Sequence, residues 1–199
     1  MMWALAFGYL IGSVPTADLL ARRRGVDLRS RGTGNPGAAN ALRVGGRGLA
    51  AAVLGLDLLK GAGAALLGAT IAGDGTAVVA GLAAIAGQIH NPWFGFKGGK
   101  GLAVTGGTLA VLWPPGLLVT LPVLGAVSPA LGSALGSLVA LATMGGAAVV
   151  WARRDWAMAW GIAPDDLLVW YAIGVIALTA PKFLAGLGRR PPTGVSAGR

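Results

Sequence analysis

Lys97 and Lys100 lie three positions apart and flank a glycine pair in the stretch Phe96-Lys97-Gly98-Gly99-Lys100-Gly101. Glycines accept positive φ and let a ligand approach the main chain closely. Consecutive N–H groups in such a turn form a concavity that binds anions. A helix starting near Gly101 adds the positive end of its dipole at the same place. Phosphate is the anion this arrangement suits; the alternative is a basic turn lying against anionic lipid headgroups. It is not the GxxxxGK[ST] phosphate loop, because no Ser or Thr follows Lys100 and no strand pattern precedes it.

A second polar stretch, Arg31-Gly32-Thr33-Gly34-Asn35-Pro36-Gly37-Ala38-Ala39-Asn40, combines turn signals with hydrogen-bonding side chains. Its Arg31 matches phosphate oxygens in a bidentate fork, and Thr33, Asn35 and Asn40 add neutral groups. A solvated connector has the same composition, so both readings stand. Asp57 and Lys60 lie three apart inside an apolar run and share one helix face. Charges at that depth face a bundle interior, either as a pair relieving each other's desolvation or as contacts to a substrate. His90, just before the lysine turn, is a structural hydrogen-bonder or a proton-transfer group.

These residues must be held by membrane-spanning elements. The 199 residues are 55% hydrophobic and 12% charged, with a mean hydropathy of +0.71. Soluble domains carry about a quarter charged residues. Several apolar runs approach the roughly 20 residues that a spanning helix needs. The 35 glycines fit close helix packing in lipid. With no Cys, there is no disulfide framework and no thiolate chemistry. One His and seven scattered acidic residues argue against a metal site. The net charge of +9 sits beside apolar spans, which points to membrane orientation rather than nucleic acid.

The fold class expected is all-α, a polytopic helical membrane protein with seven transmembrane helices, some short or kinked. Its single domain covers 1–188, and 189–199 form a disordered cytoplasmic tail. The first span, about 2–21, kinks at Gly12-Ser13-Val14-Pro15 and is followed by Arg22-Arg23-Arg24, which puts the N-terminus outside. Residues 22–47 form a cytoplasmic loop. Spans follow at about 48–72 and 77–91. Residues 102–127 are one kinked span or two short ones around Trp113-Pro114-Pro115-Gly116, and charge placement favours two. The sixth span, about 129–151, repeats Leu-Gly-Ser at 131–133 and 135–137. The seventh runs about 166–184, and the C-terminus is cytoplasmic. This topology brings both basic glycine-rich loops to one side, where they make one anion pocket.

At these positions the sequence resembles the bacterial acyl-phosphate:glycerol-3-phosphate acyltransferase family, PlsY. Gly12-Ser13-Val14-Pro15 is similar to the family's opening motif. Residues 32–40 resemble its GSGNxGATN loop, Asp57 with Lys60-Gly61 its DxxKG, and residues 96–103 its FKGGKGVA. The motifs come in the family's order and cover the first half strongly. The resemblance implies a multi-pass inner-membrane enzyme with its active site facing the cytoplasm. Such an enzyme moves a fatty acyl group from acyl phosphate to the 1-hydroxyl of glycerol 3-phosphate, giving lysophosphatidic acid and phosphate for phospholipid synthesis. No cofactor, metal or nucleic acid is implied, and an enzyme producing acyl phosphate is the partner this reading admits. It suggests Lys97, Gly98, Gly99, Lys100, Arg31, Thr33 and Asn40 for phosphate binding, and Ser13, Asn35 and Lys100 for catalysis. The chain departs from the family at Gly87-Gln88, where Gly-His is usual. It also lacks, around Thr179-Ala180-Pro181-Lys182, the His and Asn with which the family often ends its last helix. Two other readings are a divergent non-catalytic paralogue that binds acyl phosphate or a lipid phosphate, and a small-anion transporter built on Asp57 and Lys60.

Overall fold

The computed structural model describes residues 1–187, so the expected tail at 189–199 lies outside the described residues. Within them the chain is helical: α1 (Met2–Ser13), α2 (Thr16–Arg22), α3 (Ala38–Ala72), α4 (Asp74–Ile89), α5 (Leu102–Leu112), α6 (Pro114–Arg153) and α7 (Asp166–Leu187), with a 3-10 turn at Pro92–Phe94. Four stretches are long and apolar enough to cross a membrane: Met2–Arg22, Ala38–Ala72, Pro114–Arg153 and Asp166–Leu187. The architecture is an all-helical membrane protein.

Each break has a local cause. Pro15 has no N–H, so the first apolar stretch splits into α1 and α2 around Val14 and Pro15. In α3, Gly46 leaves helical geometry (φ 80°, ψ 179°), which separates a short basic segment from the apolar run that follows. That short segment, beginning at Ala38, is helical where the sequence suggests only a turn and loop. Residues 102–127 are divided as well, since α5 ends at Leu112 and α6 begins at Pro114. Within α6, Gly132 adopts φ 82°. A Cβ placed on Gly136 would come within 2.3 Å of Ser128 Oγ. In a straight helix those residues are about 12 Å apart along the axis. The chain therefore doubles back at Gly132, and α6 is two limbs.

Packing follows small residues. α1 lies on α4, α3 lies between α4 and α5, and α6 pairs with α7. A Cβ on Gly12 would sit 1.9 Å from the Ala84 carbonyl oxygen, so α1 and α4 meet backbone to backbone. The main core gathers Ile85, Ile89, Val104, Leu109, Trp113, Met144, Tyr171 and Phe183. At the far end of α5 the buried Trp113 meets Trp151 edge-on, and Trp151 meets Trp156. The polar loops occupy the other end. They follow α2 and α4, where the N-terminal helix pair is broken and its backbone is open to partners.

Candidate active site

The break between α1 and α2 leaves carbonyl groups without intrahelical donors inside the helical bundle. Such groups must be satisfied by protein. Lys60 of α3 does this. Its Nζ donates to the carbonyls of Val14 (2.9 Å) and Gly12 (3.4 Å), to Gln88 Oε1 (2.6 Å), and pairs with Asp57 Oδ1 at 2.8 Å. Asp57 also accepts from Thr16 Oγ1 at 2.8 Å and from Gln88 Nε2 at 3.3 Å. Asp57 and Lys60 are 2% and 7% exposed. The two charges thus clip α3 to the broken helix and to α4. They are satisfied internally, which removes the reason for reading an ion path at this point.

A second pair closes the loops over that clip. Asp18, one turn into α2, receives both Nε (2.8 Å) and Nη2 (3.0 Å) of Arg29. This is the planar fork-to-carboxylate geometry that Arg favours. The same guanidinium stacks 3.6 Å from the Phe94 ring centroid and donates Nη1 to the Lys97 carbonyl at 2.8 Å. Arg29 therefore joins α2, its own loop and the lysine turn. Within its loop, Asp27 accepts from the Arg29 backbone N–H at 2.9 Å. That bond, helped by Ser30, holds the exposed Asp27 carboxyl below its usual range.

Asn40 organises the glycine-rich loop from inside. It is 1% exposed, accepts from the Thr33 N–H at 2.8 Å, and donates to the carbonyls of Leu28 (2.8 Å) and Arg31 (3.0 Å). Its side chain is committed to the loop backbone, and Arg31 and Thr33 stand exposed above it. Asn35 is half-buried beside Pro36.

The lysine turn is built differently from the sequence expectation. The N–H groups of Lys97, Gly98 and Gly99 do not form a free concavity. They donate to the carbonyls of Phe94 (3.1 Å), Ile89 (3.0 Å) and Gln88 (3.0 Å). The turn is stitched to the end of α4, and Gly98 is required there because its Cβ would lie 2.0 Å from the Gln88 oxygen. Gly101, at φ 79°, then starts α5 at Leu102, where the sequence puts a helix start. The lysine side chains supply the positive charge. Lys97 is exposed, and Lys100 Nζ sits 4.9 Å from the centroid of the Phe183 ring, itself buried at the end of α7.

These elements line a small open cleft formed by Pro15, Thr16, Asp18, Arg29, Pro36 and Gln88, with Asn91, Gly98 and Gly99 at the lysine turn. Of the residues suggested by sequence, Gly98 and Gly99 reach its wall directly. Lys97 flanks it through Arg29. Ser13 lies beneath it at the end of α1; its hydroxyl donates to the Leu10 carbonyl (2.9 Å), and its own carbonyl accepts from Asn91 Nδ2 (2.7 Å). His90 is exposed, and its carbonyl accepts from the Tyr9 hydroxyl. Sequence reasoning passed over Thr16, Arg29, Gln88 and Asn91 as site residues. The polar Asn91-Pro92 pair and the lone Gln88 in an apolar helix were the available signals. Among the described residues no group of His, Cys, Asp and Glu is arranged to hold a metal ion.

The sequence profile of the glycerol-3-phosphate acyltransferase family matches residues 2–183. The chain belongs to this family. A glycerol-3-phosphate acyltransferase of Rhodopseudomonas palustris (strain BisB5) is 46% identical over 139 residues, 69% of this chain and 71% of that one. The enzyme of the same description from Mesorhizobium japonicum is 50% identical over 120 residues, 59% of this chain and 61% of its own. The crystal structure of PlsY, an integral membrane glycerol 3-phosphate acyltransferase, in its glycerol 3-phosphate form resembles this fold with a TM-score of 0.80. The match has 28% identity and covers 94% of this chain and 90% of that one. The lysophosphatidic acid form of the same protein gives 0.79 at 29% identity.

Proposed function

We propose that the protein transfers a fatty acyl group from acyl phosphate to the 1-hydroxyl of glycerol 3-phosphate, releasing lysophosphatidic acid and inorganic phosphate. The observation that carries this reading is the convergence of the arginine loop and the lysine turn on one cleft, joined by Arg29 to the Lys97 carbonyl. Relatives named glycerol-3-phosphate acyltransferase and a structural neighbour with a glycerol 3-phosphate form support the acceptor.

An acyl phosphate is an activated mixed anhydride, so the site needs no covalent nucleophile. The acceptor hydroxyl oxygen attacks the acyl carbon, the acyl–oxygen bond to phosphate breaks, and the hydroxyl proton passes to a phosphate oxygen. The protein's task is to hold two phosphates and aim a hydroxyl, which is catalysis by positioning. Lys97, Lys100 and Arg31 supply charge to the phosphates, with Thr33 and the Gly98–Gly99 surface beside them. Donors at the cleft also stabilise the developing oxyanion and the departing phosphate. Asn40 contributes by holding the loop. Asn35 and Ser13 are the neutral groups that the family resemblance assigns to the reacting hydroxyl; neither is on the cleft wall, and Ser13 would serve there only on rotating away from Leu10.

The membrane arrangement follows the same reading. With the two limbs of α6 counted separately and α1 with α2 as one, seven apolar segments alternate through a bacterial inner membrane. The N-terminus is then outside, and the loops, the cleft and the C-terminus face the cytoplasm. Basic residues at 22–24, 29, 31, 43 and 47 support that orientation.

Purified protein in detergent, given palmitoyl phosphate and glycerol 3-phosphate, should form lysophosphatidic acid and phosphate in equal amounts. Lys100→Ala should lower turnover by about 100-fold or more, the scale of losing one transition-state donor. Folded protein that binds glycerol 3-phosphate and forms no lysophosphatidic acid overturns the activity. Full turnover by Lys100→Ala overturns the phosphate assignment.

A further inference from the structure

Gln88 is a buried amide, 7% exposed, in an otherwise apolar and small-residue stretch of α4. Among the described residues it is the one side chain that hydrogen-bonds both members of the Asp57–Lys60 pair and also lines the cleft. An ammonium group has only donors, so the amide oxygen must face Lys60 and the NH2 must face Asp57. The ion pair thereby fixes which way the amide points. Its NH2 carries two hydrogens. One is directed to Asp57 Oδ2 at 3.3 Å. Nε2 lies beside Gly99, 3.4 Å from where a Cβ on that residue would be, and Gly99 forms the adjacent cleft wall.

We propose that Gln88 is a substrate-positioning residue whose second amide hydrogen is donated to an oxygen of glycerol 3-phosphate in the cleft. This rests on the activity proposed above. Thr16, Asp18, Arg29, Gln88 and Asn91 bring hydrogen-bonding groups to the cleft wall, which suits a polyol phosphate better than a fatty chain. The amide is preorganised, because rotating it would set its NH2 against the Lys60 ammonium. It is also a donor that does not titrate. The elements packed around it carry Asp57 and Lys60 on α3, Asp18 and Arg29 across the cleft, Lys97 and Lys100 in the turn, and His90 at the end of its own helix.

The test is a comparison of wild type, Gln88→Met and Gln88→Glu across pH 5.5–8.5, with the KM for glycerol 3-phosphate and kcat read separately. Gln88→Met keeps the shape and removes the donor; the KM should rise about tenfold or more, as expected for a lost hydrogen bond to a charged group. Gln88→Glu keeps the donor only while protonated. Its KM should approach that of the wild type at acid pH and climb as pH rises, relative to wild type measured in parallel. A merely structural role predicts lower kcat or stability with no pH-dependent divergence in KM. That result, or wild-type KM values in both variants, overturns the proposal. If Gln88→Met fails to fold, the Gln88→Glu pH series still decides. If the wild type does not turn over, the activity proposal has failed. Direct titration of glycerol 3-phosphate into wild type and Gln88→Glu then tests Gln88 alone, and equal affinities at all pH values refute its role.

Discussion

Replacing Lys60 with Met tests whether the buried charge pair holds the broken N-terminal helix in place. The substitution preserves most of the side-chain volume and removes one ammonium with four acceptors around it: Asp57, Gln88 and the carbonyls of Val14 and Gly12. Asp57 is left in the interior with two neutral donors, Thr16 and Gln88, and no counter-charge. Removing one member of a buried ion pair destabilises by about 3–5 kcal/mol. The Gly12 carbonyl, left without its donor where Pro15 interrupts the helix, adds to this, while the Val14 carbonyl keeps the Thr16 N–H at 2.9 Å, so the expected loss is about 4 kcal/mol. For a chain of this size that is a fall in Tm of roughly 8–16 °C. Asp57→Asn should lose less, because Lys60 keeps three oxygen acceptors and the amide still accepts from Thr16. In the double variant the losses should be less than additive by more than 1 kcal/mol, the signature of a direct pair. Thermal unfolding in detergent, monitored by intrinsic Trp fluorescence, provides the measurement. A Tm for Lys60→Met within about 3 °C of the wild type would refute the clip.

Three further outcomes follow from the same geometry. Arg29→Lys keeps the charge and loses the planar fork on Asp18 and the stack on Phe94, so the lysine turn should loosen. We expect about 2 kcal/mol of destabilisation and faster amide exchange at residues 95–99; exchange unchanged from wild type would contradict the bridging role. Gly98→Ala pushes a methyl into the Gln88 carbonyl and should break the bonds that stitch the turn to α4. Turnover should fall at least tenfold while stability falls by only about 1–3 kcal/mol; wild-type turnover would show the stitching to be dispensable. Asp27 has a lowered carboxyl pKa in the folded loop. Its contribution is therefore present above the ordinary carboxylate value and is lost as pH falls through the lowered one. Protection of the Arg29 amide should decline only under strongly acidic conditions in wild type, and should be weaker and indifferent to acid in Asp27→Ala.

Much of this molecule is legible in the sequence because lipid imposes simple rules. Runs of apolar residues become helices, Pro15 and Pro114 divide them, and Asp57 with Lys60 must find partners since neither can reach water. The glycine-rich loops announce themselves by composition. The inside of the site was harder to read. Side chains such as Arg29 and Asn40 carry the same letters as solvated loop residues, and only the fold reveals that one bridges two loops and the other is enclosed by its own backbone. The lysine turn misleads for a related reason. Glycine richness tells that the main chain approaches something closely, and the natural guess is a ligand. Here the close neighbour is the end of α4, whose carbonyls Gln88 and Ile89 take up the amides. Gly132 is equally silent in sequence, because a glycine at a helix break and one in a packed membrane helix are spelled alike.

The distribution of charge bears on how the phosphate site proposed above could be set into so apolar a chain. Two carboxylates, Asp18 on the cleft wall and Asp57 buried beneath it, are each matched by a cation that also performs structural work. Those pairs are neutral as units and contribute little net field. They hold the broken helix and the arginine loop in place as walls. On the activity proposed above, the attraction for substrate would then fall to the exposed Lys97 in the turn and the exposed Arg31 on the loop above. This division has a consequence for salt dependence. Screening weakens exposed charges far more than buried ones. Raising ionic strength should therefore increase the KM for phosphorylated substrates well before it affects the unfolding temperature. Parallel salt series of KM and Tm in detergent provide the comparison. If Tm falls at the same salt concentrations at which KM rises, then the charges that attract substrate and those that hold the walls are the same, and the division argued from Asp57–Lys60 and Asp18–Arg29 is wrong.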